Sequence, residues 1–441
     1  MVKASDTIVA PASGAGPAAI AVIRISGPKT RDVLDAFCGG VPVPRHASLR
    51  DIGPPECSLL DRGLVLWFPG PASFTGEDMA ELHVHGSRAV VQEVIEAVLS
   101  LEGLRLAEPG EFAARAFING KLDLRQVEGL ADLINAETRC QRQQALQQAE
   151  GLASERYGSW RGGLVKAQLL VEAVLDFADE DDVTVEALDA ADATAKELLA
   201  DLEEALKRGG ERLRSGLRIV IAGAPNAGKS SLLNAIAKRD VAIVSEEAGT
   251  TRDVIEVHLD LGGLPVTLTD TAGLREAQGK VEAEGIARAL SRAEDADVVL
   301  WLVDATAPVW EPPDRLSAKR CVLVLNKVDL APDVAPPNDF VCIPVSAKTG
   351  QGLERLIEAL EEEAALATDA GAGSPLITRA RHRVELEAAC EALRRFCAGP
   401  APLELKAEEL RIAARHLGRL TGEVDAEEIL GAIFSEFCIG K

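Results

Sequence analysis

The segment Gly223-Ala-Pro-Asn226-Ala227-Gly228-Lys229-Ser230-Ser231 fits the spacing GxxxxGK[ST] between an apolar run and a helical pattern. Residues of these types in this order can hold a phosphate. Glycine at 223 and 228 lets the backbone wrap an anion so that its N–H groups converge. A helix starting there would add the positive potential of its N-terminus. Lys229 would bridge a β- and a γ-phosphate, and the Ser230 hydroxyl would ligate Mg2+. Three later segments suit the same site. Asp270-Thr271-Ala272-Gly273 ends an apolar run; Asp270 would hold Mg2+ through water, and the Gly273 N–H would meet the γ-phosphate. Asn326-Lys327-Val-Asp329 matches NKxD. A carboxylate at 329 can accept from both guanine N1–H and N2–H, a donor pair that adenine lacks, so the site selects GTP. Ser346-Ala347-Lys348 would contact guanine O6 through its backbone.

The four segments in this order indicate a guanine-nucleotide domain of the Ras-like type. Its catalytic apparatus departs from Ras: Leu274 follows Gly273 where a water-orienting glutamine is usual. Gly249-Thr250-Thr251-Arg252-Asp253 reads as a first switch with Thr251 as second Mg2+ ligand, and the small polar residues at 245–251 suit a loop ordered by γ-phosphate and metal. Arg252 and Arg275 are open between arginine fingers and ion-paired switch residues.

These groups need a scaffold. Runs at 217–222, 254–261, 264–269, 298–303, 321–325 and 340–345 alternate with helical patterns at 230–237, 285–293 and 352–364. That texture predicts a mostly parallel sheet with helices on both faces. Gly262-Gly263 predicts a hairpin and one antiparallel edge strand. Before it, residues 1–118 mix short strands (19–26, 63–68, 81–85) with turns and a helix at 89–101, as in a small α+β domain. Residues 119–212 read as helical, with Leu124, Val127, Leu130 and Ile134 drawing one apolar stripe. Residues 370–375 read as a linker, and 378–438 as helical again. The expected fold class is therefore multidomain, α/β plus α. An N-terminal domain (1–118) precedes a helical domain (119–212 and 373–441) that is interrupted by an inserted P-loop domain (213–372).

Bulk properties narrow the field. The 441 residues are 47% hydrophobic and 27% charged, an ordinary globular composition. No apolar run approaches the ~18 residues of a membrane span. Asp6, Pro11, Gly14, Gly16 and Pro17 interrupt any leader-like core, so export is rejected. The 8 cysteines show no CxxC pair, as expected of reduced thiols in a cytoplasmic protein. The net charge of −23 argues against a broad nucleic-acid face and confines any such contact to a local basic patch. Arg139, Arg142, Arg156 and the run Arg379–Arg383 are the candidates.

Thr250-Thr251-Arg252-Asp253 with Asn226-Ala-Gly-Lys-Ser-Ser resembles the TrmE branch of the Era-like GTPases. Ala21-Val-Ile-Arg24-Ile-Ser-Gly27, Ser73-Phe-Thr-Gly-Glu77-Asp78 and the terminal Cys438-Ile439-Gly440-Lys441 extend the likeness over essentially the whole chain. The chain thus resembles the MnmE (TrmE) family of tRNA modification GTPases. Phe74 stands where Tyr is common there, and Ala113 where Thr is common.

The resemblance implies a GTPase stimulated by K+, with Mg2+, that works with a flavoprotein of the MnmG (GidA) type. Together they place a carboxymethylaminomethyl-type group on C5 of wobble uridine in tRNAs. The carbon would come from 5-formyl- or methylene-tetrahydrofolate held by the N-terminal domain, which would also make a homodimer. The implied K+ ligand is Asn226, helped by Ser245, Glu247 and Thr250. The implied water-orienting carboxylate is Glu282, which by residues alone is one of several solvated helix carboxylates. Folate carry-over falls on Arg24, Glu81, Lys121 and Lys441. A carboxylate suits a pterin's amide-like donors, and Arg and Lys suit a formyl oxygen or glutamate tail. Blander readings stand beside these: Arg24 on a solvated strand face, Lys121 at a helix start, Lys441 a loose chain end. Cys438 is open between a thiolate nucleophile and an inert cysteine. His83 and His85 lie on one strand face, open between a metal pair and packing or hydrogen bonding to the folate. The alternative function is an Era-like switch in ribosome assembly, which has no use for the N-terminal domain or the terminal tetrapeptide. A folate-dependent transferase decorated by a G domain would work without GTP.

Overall fold

The computed structural model describes residues 6–14, 16–54, 59–176, 181–207, 209–239, 241–243, 256–270, 296–312, 320–337, 341–368, 376–399 and 401–422, with Val424, Ile433, Phe437 and Gly440. The chain divides into two units: Met1–Ala131, Gln148–Ala195 and Arg395–Lys441 make the first, and Asp132–Gln147 with Lys196–Arg394 the second. The expected helix at 285–293 and linker at 370–375 lie outside the described residues.

In the first unit, strands β1 (Thr7–Pro11), β2 (Ala18–Ser26), β3 (Ser48–Ile52), β4 (Asp61–Phe68), β5 (Met79–Gly86) and β6 (Leu104–Leu106) form one sheet in the order β3-β4-β5-β2-β1-β6. Only the β1–β6 pair is parallel. Side chains alternate across a strand. Ala21, Ile23 and Ile25 of β2 therefore join Val65, Trp67, Leu82 and Val84 on one face, packed with Val33, Leu34 and Phe37 of α1 (Thr30–Phe37) and Val94 and Val98 of α2 (Arg88–Leu99). The Ser87 hydroxyl caps α2 by accepting from the Val90 N–H at 3.2 Å. The residues in between, Arg24 and Ser26, share the opposite face with Glu81 and His83.

Short helix α3 (Glu111–Ile118) is followed by α4 (Leu124–Ile134), α5 (Arg139–Ala149), α6 (Leu152–Asp176) and α7 (Asp181–Lys207). In α6, Tyr157, Trp160, Leu164, Ala167, Val171 and Val174 are buried at alternating steps of three and four, the period of a helix face. The α4 stripe differs from expectation. Leu124 and Val127 are buried, but so are Arg125, Glu128 and Ala131, while Leu130 and Ile134 are only half-buried. The Arg125 guanidinium lies 3.9 Å from the Tyr157 ring centroid, so a cation–π contact turns a polar position inward. The Gln148 amide bonds the Arg125 carbonyl at 3.1 Å.

In the second unit, strands β7 (Leu217–Gly223), β8 (Ala242–Ile243), β9 (Glu256–Leu261), β10 (Leu264–Asp270), β11 (Val298–Asp304), β12 (Arg320–Asn326) and β13 (Cys342–Pro344) make a second sheet. Its order is β13-β12-β11-β7-β10-β9-β8. The hairpin at Gly262-Gly263 is present, but β9 is not the edge: the two-residue β8 pairs outside it, also antiparallel. A strand that short leaves no pattern to read. One sheet face carries Ile219, Ile221, Leu268 and Leu300 against α9 (Lys229–Ala237) and α10 (Leu353–Thr368); the other carries Val220, Val299, Trp301 and Val303. Both faces are covered, which is why its strands read as apolar runs rather than alternating ones. This unit also holds α8 (Glu211–Ser215), while α11 (Ala380–Cys397) and α12 (Leu403–Thr421) complete the chain's described helices. In the first unit α12 lies along α6.

Candidate functional site

Strand order assembles the nucleotide segments. β7 lies between β10 and β11, so Gly223, Asp270, Asp304 and Asn326 all stand at the carboxyl ends of neighbouring parallel strands, where such sheets bind ligands. Gly228 has φ +94, and a Cβ there would press into the Asn326 amide, so glycine is required for the loop to turn under the base segment. Asn326 Nδ2 donates to the Ala227 carbonyl at 2.8 Å, and its Oδ1 accepts from the Ala347 N–H at 3.0 Å. One buried side chain therefore joins three of the four expected segments. The Ser346 hydroxyl donates to Asp329 Oδ1 at 2.7 Å, orienting that carboxylate, and accepts from the Thr349 N–H.

On the phosphate side, Lys229 Nζ donates to the carbonyls of Gly223 and Ala224 at 3.1 and 3.0 Å. Burial pulls its pKa below the ordinary lysine value, and the negative charge of Asp270 opposes that. Ser230 Oγ donates to Asp270 Oδ2 at 2.5 Å, and Asp270 is 1% exposed. Two hard oxygen donors thus face one point at the helix start, a chemistry that fits Mg2+. Asn226 is exposed, with φ +62, and its carbonyl accepts from Lys327 Nζ at 2.7 Å. Ser231 and Lys348 lie in the same segments. Ser245, Glu247, Thr250, Thr251, Thr271, Ala272, Gly273 and Glu282 lie outside the described residues, as do Arg252 and Arg275.

In the first unit, Arg24 and Glu81 are direct partners in the β2–β5 ladder. Arg24 Nε and Nη2 both donate to Glu81 Oε1, at 3.1 and 2.9 Å, with 21% and 17% of the two side chains exposed. Arg24 also sits 5.5 and 5.7 Å from the Phe74 and Phe112 ring centroids. A paired cation and anion beside aromatic rings is the kind of surface a flat heterocycle with amide-like groups would match. The solvated-face reading of Arg24 does not hold. Lys121 Nζ bonds the Pro71 carbonyl at 3.2 Å, and its stem lies by Gly76. It therefore flanks the loop carrying Phe74 without touching the pair, among the described residues. Lys441 and Cys438 are outside them, but Gly440 is buried with φ +100, and a Cβ there would collide with the Pro11 carbonyl. Pro11 pairs with Ile23, next to Arg24.

His83 and His85 do not share a ligand: His83 approaches Glu81 at 3.4 Å, and His85 bonds Asp61 at 2.8 Å. No cluster of three metal-binding groups occurs among the described residues. The 379–383 basic run is not a free patch. Arg379 is 8% exposed and bonds Asp132 at 2.8 Å, while Arg383 bonds Glu211 at 2.7 Å. Two groups drew no expectation from sequence. Asp304 belongs to no nucleotide motif; its only signal is a carboxylate ending an apolar strand. Arg115, 2% exposed, sits among Asp6, Glu77 and Glu111; an arginine in a helical stretch carries no sign of partners that distant in sequence. Among the described residues no helix is long and apolar enough to cross a membrane.

Comparison with known proteins agrees along the whole chain. Residues 7–121 match the family model of the GTP-binding protein TrmE N-terminus, and residues 124–438 match that of the MnmE helical domain. A protein of Beijerinckia indica is 53% identical over 440 residues, covering 99% of this chain and 96% of its own. Relatives in Rhodopseudomonas palustris (447 residues aligned, 99% of both chains) and Methylobacterium radiotolerans (444 residues, 99% of both chains) are each 50% identical. All three are named tRNA modification GTPase MnmE.

Proposed function

The chain belongs to the MnmE (TrmE) family, and on that premise we propose that it is a tRNA modification GTPase that hydrolyses GTP at the carboxyl ends of β7, β10 and β12. The observation that carries this is the Asn326 side chain, which ties Ala227 of the phosphate loop to Ala347 of the base loop. In this reading Asp329 accepts from the guanine edge, and the backbone of Ser346-Ala347-Lys348 meets O6. The N–H groups of residues 226–231 and Lys229 hold the phosphates. Lys229 must leave the carbonyls of Gly223 and Ala224 to do so; its burial makes that exchange for a polyanion favourable. Ser230, Thr251 and Asp270 would hold Mg2+, which when bound neutralises charge on the β- and γ-oxygens. With Leu274 in place of glutamine, we assign water orientation to Glu282 and charge stabilisation to K+, held by Asn226 with Ser245, Glu247 and Thr250.

We further assign a tetrahydrofolate to the first unit, with Arg24, Glu81, Lys121 and Lys441 as the residues that would hold it. Cys438 would join the modification chemistry there; the seating of Gly440 beside Pro11 supports that neighbourhood. Leu49 and Leu64, 60% and 39% exposed on the outer side of the β3–β4 ladder, support a homodimer through this domain. The modification itself, a carboxymethylaminomethyl-type group on wobble uridine, would be made with the MnmG-type flavoprotein in the cytoplasm. With Arg379 and Arg383 engaged internally, tRNA contact falls to Arg139, Arg142 and Arg156 or mainly to the partner.

The test is GTP hydrolysis in K+ against Na+, for the wild type and Asn226→Ala. Faster turnover in K+ that vanishes in the variant is expected; equal rates in both salts would remove the K+ assignment. Titration calorimetry of 5-formyl-tetrahydrofolate onto the full-length protein separates this reading from a ribosome-assembly switch, which would give no heat.

A further inference from the structure

Asp304 closes β11 and faces Asn326 across the β11–β12 ladder, one residue from Lys327. Its two oxygens have separate partners. Oδ1 accepts from the N–H and the hydroxyl of Thr306 at 2.8 and 2.7 Å. Oδ2 accepts from Lys327 Nζ at 2.5 Å. The same Nζ donates to the Asn226 carbonyl. Burial pushes the Asp304 carboxyl up, but the bonds from Lys327 and Thr306 outweigh it and hold the group below its ordinary value. Asn226 and Lys327 have φ +62 and +65, a left-handed backbone that non-glycine residues keep only where their surroundings hold it. One ammonium links these two backbones, and one carboxylate fixes that ammonium.

Resting on the reading of this site as one for GTP, we propose that Asp304 is a positioning residue. It clamps Lys327 against the Asn226 carbonyl, so that the base-reading loop and the phosphate loop keep one fixed separation. Both Asp304 oxygens are engaged by Thr306 and Lys327, so Asp304 is assigned no direct contact with base or phosphate. Its effect reaches the nucleotide through the Lys327 stem, and reaches the cation through Asn226, whose side-chain direction follows its backbone. Thr306 holds Asp304 in the orientation that aims Oδ2 at Lys327.

The test uses the full-length protein with Asp304→Asn, Lys327→Met and the double variant. Asp304→Asn keeps an acceptor for Thr306 and removes the charge facing Lys327. Dissociation of methylanthraniloyl-GDP is expected to be about tenfold faster, the scale for losing a charge-assisted hydrogen bond. The half-saturating K+ concentration for hydrolysis at saturating GTP should rise with it. Asp329→Asn, a base-edge change, should weaken the nucleotide and leave half-saturating K+ in place. Lys327→Met should reproduce the Asp304→Asn profile, and the double variant should be no worse than Lys327→Met. Thr306→Val should act in the same direction by less and decides the matter if Asp304→Asn lowers the melting temperature. Wild-type dissociation and K+ response in Asp304→Asn, or full additivity in the double variant, would overturn the proposal. Absence of methylanthraniloyl-GDP binding by the wild type would instead refute the GTP reading. Equal wild-type rates in K+ and Na+ would remove the cation arm and leave the dissociation cycle to decide the role of Asp304.

Discussion

Replacing Arg115 with Met should open the N-terminal sheet more than any surface change. Arg115 Nη1 bonds the Asp6 carbonyl at 2.9 Å and Glu77 Oε2 at 3.0 Å, while Nη2 bonds Asp6 Oδ1 at 3.0 Å and Glu111 Oε1 at 3.1 Å. Arg105 also pairs with Asp6 and Glu111. Arg115 is thus the one charged partner of Glu77 among the described residues. Methionine fills much of that space but strands the Glu77 carboxylate and leaves Asp6 and Glu111 only Arg105 of the two arginines. Breaking a buried pair from one side costs about 3–5 kcal/mol, a large share of the ~5–15 kcal/mol of a folded domain. Glu77 also accepts from Ser26 Oγ at 2.8 Å, and Ser26 is on the strand face of Arg24. The loop holding Phe74 should loosen with it. A multidomain chain does not unfold in one step, so the assay is amide hydrogen exchange over β2 and β5. Their opening free energy should drop by about 3–5 kcal/mol, and Glu77→Gln added to Arg115→Met should restore part of it. A drop below about 1 kcal/mol, the scale of an exposed pair, would refute the reasoning. Burial raises the Glu111 and Asp6 carboxyls, but bonds from Arg105 and its neighbours hold both below their ordinary 4.5 and 3.8. Their contribution is complete above those values and is lost as pH falls through the lower folded ones. Arg115→Met should flatten that acid dependence.

Ser230→Ala should remove the hydroxyl that meets Asp270 and weaken Mg2+ affinity by about 10–100-fold, read from Mg2+ titration of GTP hydrolysis; an unchanged titration would exclude Ser230 as a ligand. Gly440→Ala places a Cβ against the Pro11 carbonyl at φ +100 and should unseat the C-terminus at a cost of about 1–3 kcal/mol. Limited proteolysis should then clip the tail faster, and an unaltered digestion pattern would contradict the seating. Cys38 is 1% exposed, and burial pushes its thiol up to about 12, with Arg50 opposing. It should stay unmodified by a thiol reagent at about pH 8 until the first unit opens; prompt labelling of the native protein would show its core to be open.

What could be read in the sequence was whatever lies in one stretch of backbone. The 223–230 loop, the Asn326–Asp329 segment and the buried strands of the second unit carry their geometry in consecutive residues, because a loop that wraps an anion and a strand covered on both faces are local demands. The Gly262-Gly263 turn was readable for the same reason. Pairing over distance was not. The polarity of Arg24 said nothing of its partner until the β2–β5 register put Glu81 opposite it. Arg125 was hidden in an apolar stripe until Tyr157 of a later helix took its guanidinium. Arg379 and Arg383 looked like a phosphate patch until the fold brought them Asp132 and Glu211. Residue order alone therefore determined which motifs this protein carries: a GxxxxGK[ST] loop, an NKxD segment and a family signature from end to end. Tertiary structure alone decided which charges remain for ligands and which are spent inside. Asp304 reached Lys327, and through it the Asn226 carbonyl, only because β11 lies between β7 and β12. The energy of a charge depends on what stands within a few ångströms of it, and strand order and register set that neighbour.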